Sequence, residues 1–442
     1  MKALLAFCCF CLAAAAQDNV PVPDLAGYVT RVASASDFDV NGWRILCGPQ
    51  TNTALVPQRP SPRRVYHPGC PQQPPRIGLA VAVWGTRDKA QFSIAATQLD
   101  LGPIPFEKVS SYGIVEAILA RSPQALTLRA DGYTIRIPAS AHLTFRKSLR
   151  SLADITTNVW LDYKGEQQTD GTILAREARF RPNLPNPKAE KTRARTDYDP
   201  SKVTKAGNAA VEILIGVNAM KIPAWPDAAI QARVAAVGEK LIPAYQRQLP
   251  DSDETKIDFR FYVTTGDRWL SNMVALPSGV ILVPHRMVER MQNDSQLAAI
   301  LAESMAVEME AQDDRMMAGI RPTKKQLAGA LAEDAGIYAG EAMVPAVGLA
   351  VLGDTAFGLT SATRTLEKQL QQSARVSLSL MRDAGYDPAE APIAWWQLSD
   401  KKGKPLAGTD LPLEAAWLYR DLSATWSLAP PSPAPEADLA AH

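Results

Sequence analysis

Apolar and polar residues alternate with a period of two over residues 79–85, 92–99, 158–163 and 171–180, and Gly, Asp and Asn bound the runs. Alternation places one set of side chains on each face of a pleated strand, so these runs predict half-buried strands joined by hairpins. Two longer stretches share a layout. Gly27-Tyr28-Val29 leads through Phe38 and Asn41-Gly42 to Ile45, and Gly113-Ile114-Val115, 86 residues later, leads through Leu126-Thr127-Leu128 and Gly132 to Ile137. Each is followed by two more strand-like runs, which predicts two small β-barrel-like modules, at 24–105 and 110–181.

Past residue 200 the period changes. Residues 228–249 and 295–317 repeat apolar side chains at helical spacing, with a strand-rich insert at 257–283. Between the two regimes, 182–204 holds prolines at 182, 185, 187 and 200 and the basic group Lys188, Lys191, Arg193 and Arg195, the composition of a solvated linker. The expected fold class is therefore α+β: two N-terminal β-barrel-like modules, then a mainly helical domain over 205–428 with a small sheet. Residues 429–442, rich in Pro and Ala, cannot bury enough apolar surface to order themselves and are expected to form a disordered tail.

The two modules resemble short bacterial domains of OB type that open with Gly-x-Val. Such barrels can bind oligonucleotides or sugars. Trp43, Trp84 and Trp160 have no basic stripe beside them in the sequence, however, and read as core or hairpin aromatics.

Composition adds the compartment. Lys2, the apolar run 3–12 and the small residues 14–16 have the form of a secretory signal over 1–16, with a lipoprotein anchored through Cys8, Cys9 or Cys11 as the rival. An exported chain, periplasmic or extracellular, is expected. Cleavage leaves Cys47 and Cys70 as the only cysteines, and they are expected to pair as a structural disulfide. It also removes Lys2 and leaves 46 basic against 46 acidic residues, so no overall field attracts nucleic acid. No later stretch reaches the roughly 20 apolar residues of a membrane helix; 342–352 comes nearest and reads as a buried helix.

A series of blocks carries a more specific resemblance. Residues 258–263 (Asp-Phe-Arg-Phe-Tyr-Val), 275–283 (Ala-Leu-Pro-Ser-Gly-Val-Ile-Leu-Val), 293–302 (Asn-Asp-Ser-Gln-Leu-Ala-Ala-Ile-Leu-Ala) and 384–388 (Ala-Gly-Tyr-Asp-Pro) follow one another as in HtpX/BepA-type zinc metallopeptidases, related to the CAAX prenyl proteases. The resemblance covers roughly 205–425 and implies a gluzincin-like domain. In that family the helix after the second block carries HExxH. Histidines four apart fall on one helical face and grip one Zn²⁺, the glutamate activates its water, and a third ligand comes from an ExxxD helix before the Ala-Gly-Tyr-Asp-Pro block.

On this chain the resemblance places the two histidines at Glu303 and Val307, the catalytic glutamate at Ser304, the third ligand at Leu370 and its accompanying aspartate at Ala374. None of the five residue types is retained. The four histidines, at 67, 142, 285 and 442, cannot form a helical pair anywhere. Glu303 and Glu310 share a helical face, but seven residues separate them by roughly 10 Å. His285, after Pro284, reads as a hydrogen-bonded surface or cap residue. No catalytic residue, no metal ligand and no cofactor is therefore expected, with zinc the implied metal if the family activity were retained.

The expectation is an exported pseudopeptidase that binds polypeptide or an envelope protein in quality control or scaffolding. An active zinc metalloendopeptidase is the first alternative. Glycan or protein binding by the β-modules is the second.

Overall fold

The computed structural model describes residues 22–55, 65–102, 108–168, 171–184, 223–265, 273–310, 360–399 and 411–426, with single residues at 190, 193, 194 and 197. The signal segment, the tail, the 342–352 run and most of the linker lie outside these residues. Among the described residues no helix is long and apolar enough to cross a membrane.

The fold is mixed α+β, with two barrel-like sheets preceding a helical region. The first sheet comprises β1 (Leu25–Val32), β2 (Asp37–Val40), β3 (Trp43–Leu46), β4 (Asn52–Leu55), β5 (Tyr66–Pro68), β6 (Ala80–Asp88) and β7 (Ser93–Gly102). Its order is β3-β2-β1-β6-β7-β4-β5, and β3 pairs in parallel with β7, closing the sheet on itself. The second comprises β8 (Lys108–Arg121), β9 (Ala125–Ala130), β10 (Tyr133–Pro138), β11 (His142–Phe145), β12 (Val159–Gln167) and β13 (Ile173–Pro182). It repeats the plan as β10-β9-β8-β12-β13-β11, closed by parallel pairing of β10 with β13. Closure removes most of the exposed edge that a short open sheet would present.

The shared sequence layout has a steric cause. A Cβ on Gly27 would lie 2.2 Å from the Asn41 side chain, and one on Gly113 would lie 2.7 Å from the Asp131 backbone nitrogen. Asn41-Gly42 and Asp131-Gly132 are the turns between β2 and β3 and between β9 and β10, with Asn41 and Asp131 at φ +48° and +56°. Each leading glycine thus makes room for the tight turn of its own barrel. Inward-facing Phe38, Ile45, Ile94 and Leu99 fill the first barrel, and Leu126, Leu128, Ile135, Ile137 and Phe180 fill the second. Burying each contributes roughly 1.5–3 kcal/mol.

Cys47 and Cys70 are bonded, with their Cα atoms 5.6 Å apart, inside the range that a disulfide spans. The bridge ties the strand end after β3 to the loop after β5 across 23 residues. Replacing both cysteines by serine is expected to lower stability by about 3 kcal/mol, read as a shift in the urea midpoint that reducing agent reproduces in the parent protein.

The helical region holds α1 (Ala228–Leu241), α2 (Ala244–Gln248), α3 (His285–Arg290), α4 (Asp294–Met309), α5 (Thr360–Asp383), α6 (Glu390–Ser399) and α7 (Leu413–Trp426). Its small sheet, β14 (Arg260–Thr264), β16 (Val280–Pro284) and β15 (Val274–Ala275), has β16 in the middle, parallel to β14 and antiparallel to β15. Residues 228–249 are not one helix. Pro243 lacks a backbone N–H and forces Ile242 out of the helical region, so the chain breaks into α1 and α2. The run 295–317 is seen as α4, ending at Met309 with Glu310 as its cap; 311–317 lie outside the described residues.

The helical core includes Ile114 and Trp160 of the second barrel. Tyr28 of the first barrel stacks on Tyr419 of α7 with ring centroids 6.4 Å apart. Both barrels are therefore packed against the helices.

Candidate functional site

Helix α4 starts where Asn293 accepts a hydrogen bond from Gln296 N, and the Gln296 side chain in turn accepts from Gln292 N and donates to Glu390. These bonds satisfy backbone donors that a helix start leaves open. The helix is apolar almost all round and nearly fully buried, as such helices must be. Glu303, Ser304 and Val307 are 1%, 2% and 7% exposed. Helix α5 packs along α4 and carries Leu370 and Ala374, 9% and 2% exposed. Its end, at the Ala-Gly-Tyr-Asp-Pro block, is closed by Gly385 N to Arg382 O and Tyr386 N to Met381 O, the paired bonds of a Schellman cap.

The positions to which the resemblance assigns zinc chemistry thus lie on two packed helices, inside the core. Val307 and Leu370 offer no donor atom. The Glu303 carboxyl has its pKa pushed up to about 8 by burial, with Glu414 of α7 adding to the rise and Trp395 of α6 opposing it. Among the described residues Glu303 Oε2 has no hydrogen-bond partner. One buried carboxyl beside a valine and a leucine does not make the three-ligand protein set of a catalytic Zn²⁺ site. Among the described residues no three His, Cys, Asp or Glu side chains gather as a metal site.

The three described histidines are on separate elements. His67 and His142 are exposed on β5 and β11, and His285 opens α3 with its ring stacked on Trp225 at 3.9 Å.

A second group of polar residues, of which the sequence singled out only Glu310, lies where α5 crosses the second barrel. Arg375 Nη2 donates to Asp131 Oδ1 at 2.6 Å and Tyr163 Oη donates to Asp131 Oδ2 at 2.8 Å, all three side chains being buried. The guanidinium also lies over the Tyr133 ring, 4.7 Å from its centroid. One turn earlier Gln372 donates to Tyr112 O, and the buried Glu310 at the end of α4 accepts from Ile114 N. One turn later Ser379 meets Glu116, which Arg129 joins to Asp383. Gly132 presses on the α5 backbone: a Cβ there would lie 2.6 Å from Arg375 C.

The available signal was a polar stripe on α5, Gln372, Arg375 and Ser379, at helical spacing. Without a partner in view such a stripe reads as solvated surface.

Beside this seam a cleft of about 640 Å³ opens between the second barrel and α5. Lys108, Arg179, Lys368 and Arg420 border it, and Ser110 and Ser111 of β8 line it.

No family model and no curated protein matches the chain.

Proposed function

We propose that this chain is an exported, metallopeptidase-like pseudoenzyme that binds polypeptide in envelope quality control or scaffolding. The observation that carries the reading is the burial of Val307 and Leu370, which have no donor atom, beside Glu303 where the resemblance calls for three zinc ligands. Converting that region to a hydrolytic site would require both new ligands and space for a water and a scissile bond. The helices on which catalysis would depend instead serve as scaffold: α4 and α5 hold the second barrel through Glu310, Gln372 and Arg375. A Cys47–Cys70 bond persists in oxidising compartments and supports export.

The β-module reading gains weight from the cleft beside the second barrel, which joins a basic rim to a strand of that barrel. It is compatible with the first reading, since a barrel and a helical scaffold can present one binding surface.

Zinc analysis and a casein assay on the purified full chain test the proposal. The expected result is metal far below one equivalent after dialysis and no chelator-sensitive cleavage. Near-stoichiometric zinc with cleavage that chelator abolishes would establish the active metalloendopeptidase in its place.

A further inference from the structure

We infer that the cleft between the second barrel and α5 captures an acidic polypeptide segment as an added strand along residues 108–111 of β8. The inference deepens the polypeptide-binding reading by naming its site and its partner's charge, and it rests on that reading.

Strand β8 is paired differently along its two halves. Its C-terminal half, from Val115 onward, pairs with β9, whereas 108–114 pair only with β12. The opposite edge of this N-terminal half is therefore unpaired by any strand among the described residues. In an antiparallel strand the backbone groups of successive residues turn alternately to the two edges. Tyr112 O and Ile114 N turn away from β12, because they are bonded by Gln372 and Glu310. By the same alternation the N–H and C=O of Ser110 turn away from β12, to the edge on which the cleft-lining Gln372 lies, and Ser110 is exposed. An unpaired edge in a cleft supplies main-chain hydrogen bonds to an extended peptide of any sequence, while the surrounding side chains select it.

Selection here is by charge. Among the cations at the cleft, Lys164 pairs with Glu177, Arg375 with Asp131 and Arg420 with Asp421. Lys108, Arg179 and Lys368 have no ion pair among the described residues, and of the two carboxylates lining the cleft Glu177 is taken by Lys164 while Asp162, opposite Arg179 in the sheet, lies 4.0 Å from Arg181. Lys368 lies one helical turn before Gln372, which holds Tyr112 O, so it stands beside the open edge rather than at the seam. A bound strand alternates its side chains, so carboxylates at every second residue would face one wall and meet these cations. The chain as a whole carries almost no net charge, which makes this excess local.

Fluorescence anisotropy at low salt, with the full chain and an extended labelled peptide of about eight alternating Glu and Val residues, tests the inference. Binding at least tenfold tighter than that of the Lys-Val counterpart is expected, with loss of binding when alternate peptide amides are N-methylated. Ser110→Pro removes the cleft-facing donor, and an edge strand tolerates proline; it should weaken binding about tenfold, the scale of one lost hydrogen bond. Lys368→Glu, on an exposed helical position, should weaken it about fivefold with unchanged thermal unfolding.

Equal binding of the two peptides, full binding by the N-methylated peptide, or parental affinity in both variants would each overturn the inference. These outcomes are independent of zinc content and of cleavage, so a failed pseudopeptidase reading and a failed strand site remain distinguishable.

Discussion

Arg375→Met is expected to destabilise the protein by about 3–5 kcal/mol, the cost of leaving one member of a buried ion pair unopposed. The substitution keeps most of the side-chain volume but strands Asp131, which has no exposed surface and, among the described residues, would retain only the Tyr163 hydroxyl as a side-chain partner. It also removes the guanidinium from the face of Tyr133. The companion Asp131→Asn tests the electrostatic origin of the loss. Asparagine tolerates the positive φ of this turn position and still accepts from Tyr163, so the double variant should recover at least half of the stability that Arg375→Met loses. Urea unfolding of the four proteins gives the coupling directly. A single-variant loss below about 1 kcal/mol would show that the pair does not hold the barrel to α5.

Glu303→Gln is expected to make the protein's stability less dependent on pH on the alkaline side. In the folded state Glu303 keeps its proton up to a pKa of about 8, because burial, and then the Glu414 charge, disfavours the carboxylate. In the unfolded chain it ionises near pH 4.5. Between these values the folded state binds more protons, so the free energy of unfolding falls as pH rises; below the lower value both states are protonated and the contribution vanishes. At about 1.4 kcal/mol per pH unit the loss by pH 8 is on the order of 4 kcal/mol. Glutamine has the same shape and cannot ionise, so the variant should be more stable than the parent at pH 8 and similar at pH 4.

Asp421, pushed up to about 6 by burial against the opposing effect of Arg375 and Arg420, slopes in the same direction over a narrower window and remains in the variant. Denaturant titrations across pH 4–8 read both slopes. A parent protein with constant stability over that range would refute the buried, neutral Glu303.

Much of the architecture was legible along the chain because it depends on local periodicity. The period-two runs became β6, β7, β12 and β13, and the Gly27 and Gly113 layouts became two barrels of one connectivity. Turn chemistry was equally local: Asn41-Gly42 and Gly132 fall in the tight turns that their residue types favour. The pairing of Cys47 with Cys70 followed from there being no other partner once the signal is set aside. Helix ends were less legible. The run 228–249 kept its apolar spacing across Pro243, yet a missing donor and a steric clash ended the helix there.

The sequence by itself determined that no HExxH exists and that two barrels precede a helical region. What a residue does once packed was decided elsewhere, and the two barrels show why. In the first, Asn41 Oδ1 accepts from Tyr28 N, so the turn satisfies the donor that follows its own leading glycine. In the second, the corresponding donor, Ile114 N, is bonded by Glu310 from α4, while the turn residue Asp131 turns to Arg375 on α5. The two partners stand 196 and 244 positions away along the chain. Local pattern cannot select among distant polar residues, because each looks equally able to face water until packing removes the water. Burial then makes an unmet charge or donor costly, and that cost, acting across the barrel and two helices at once, fixes which groups meet.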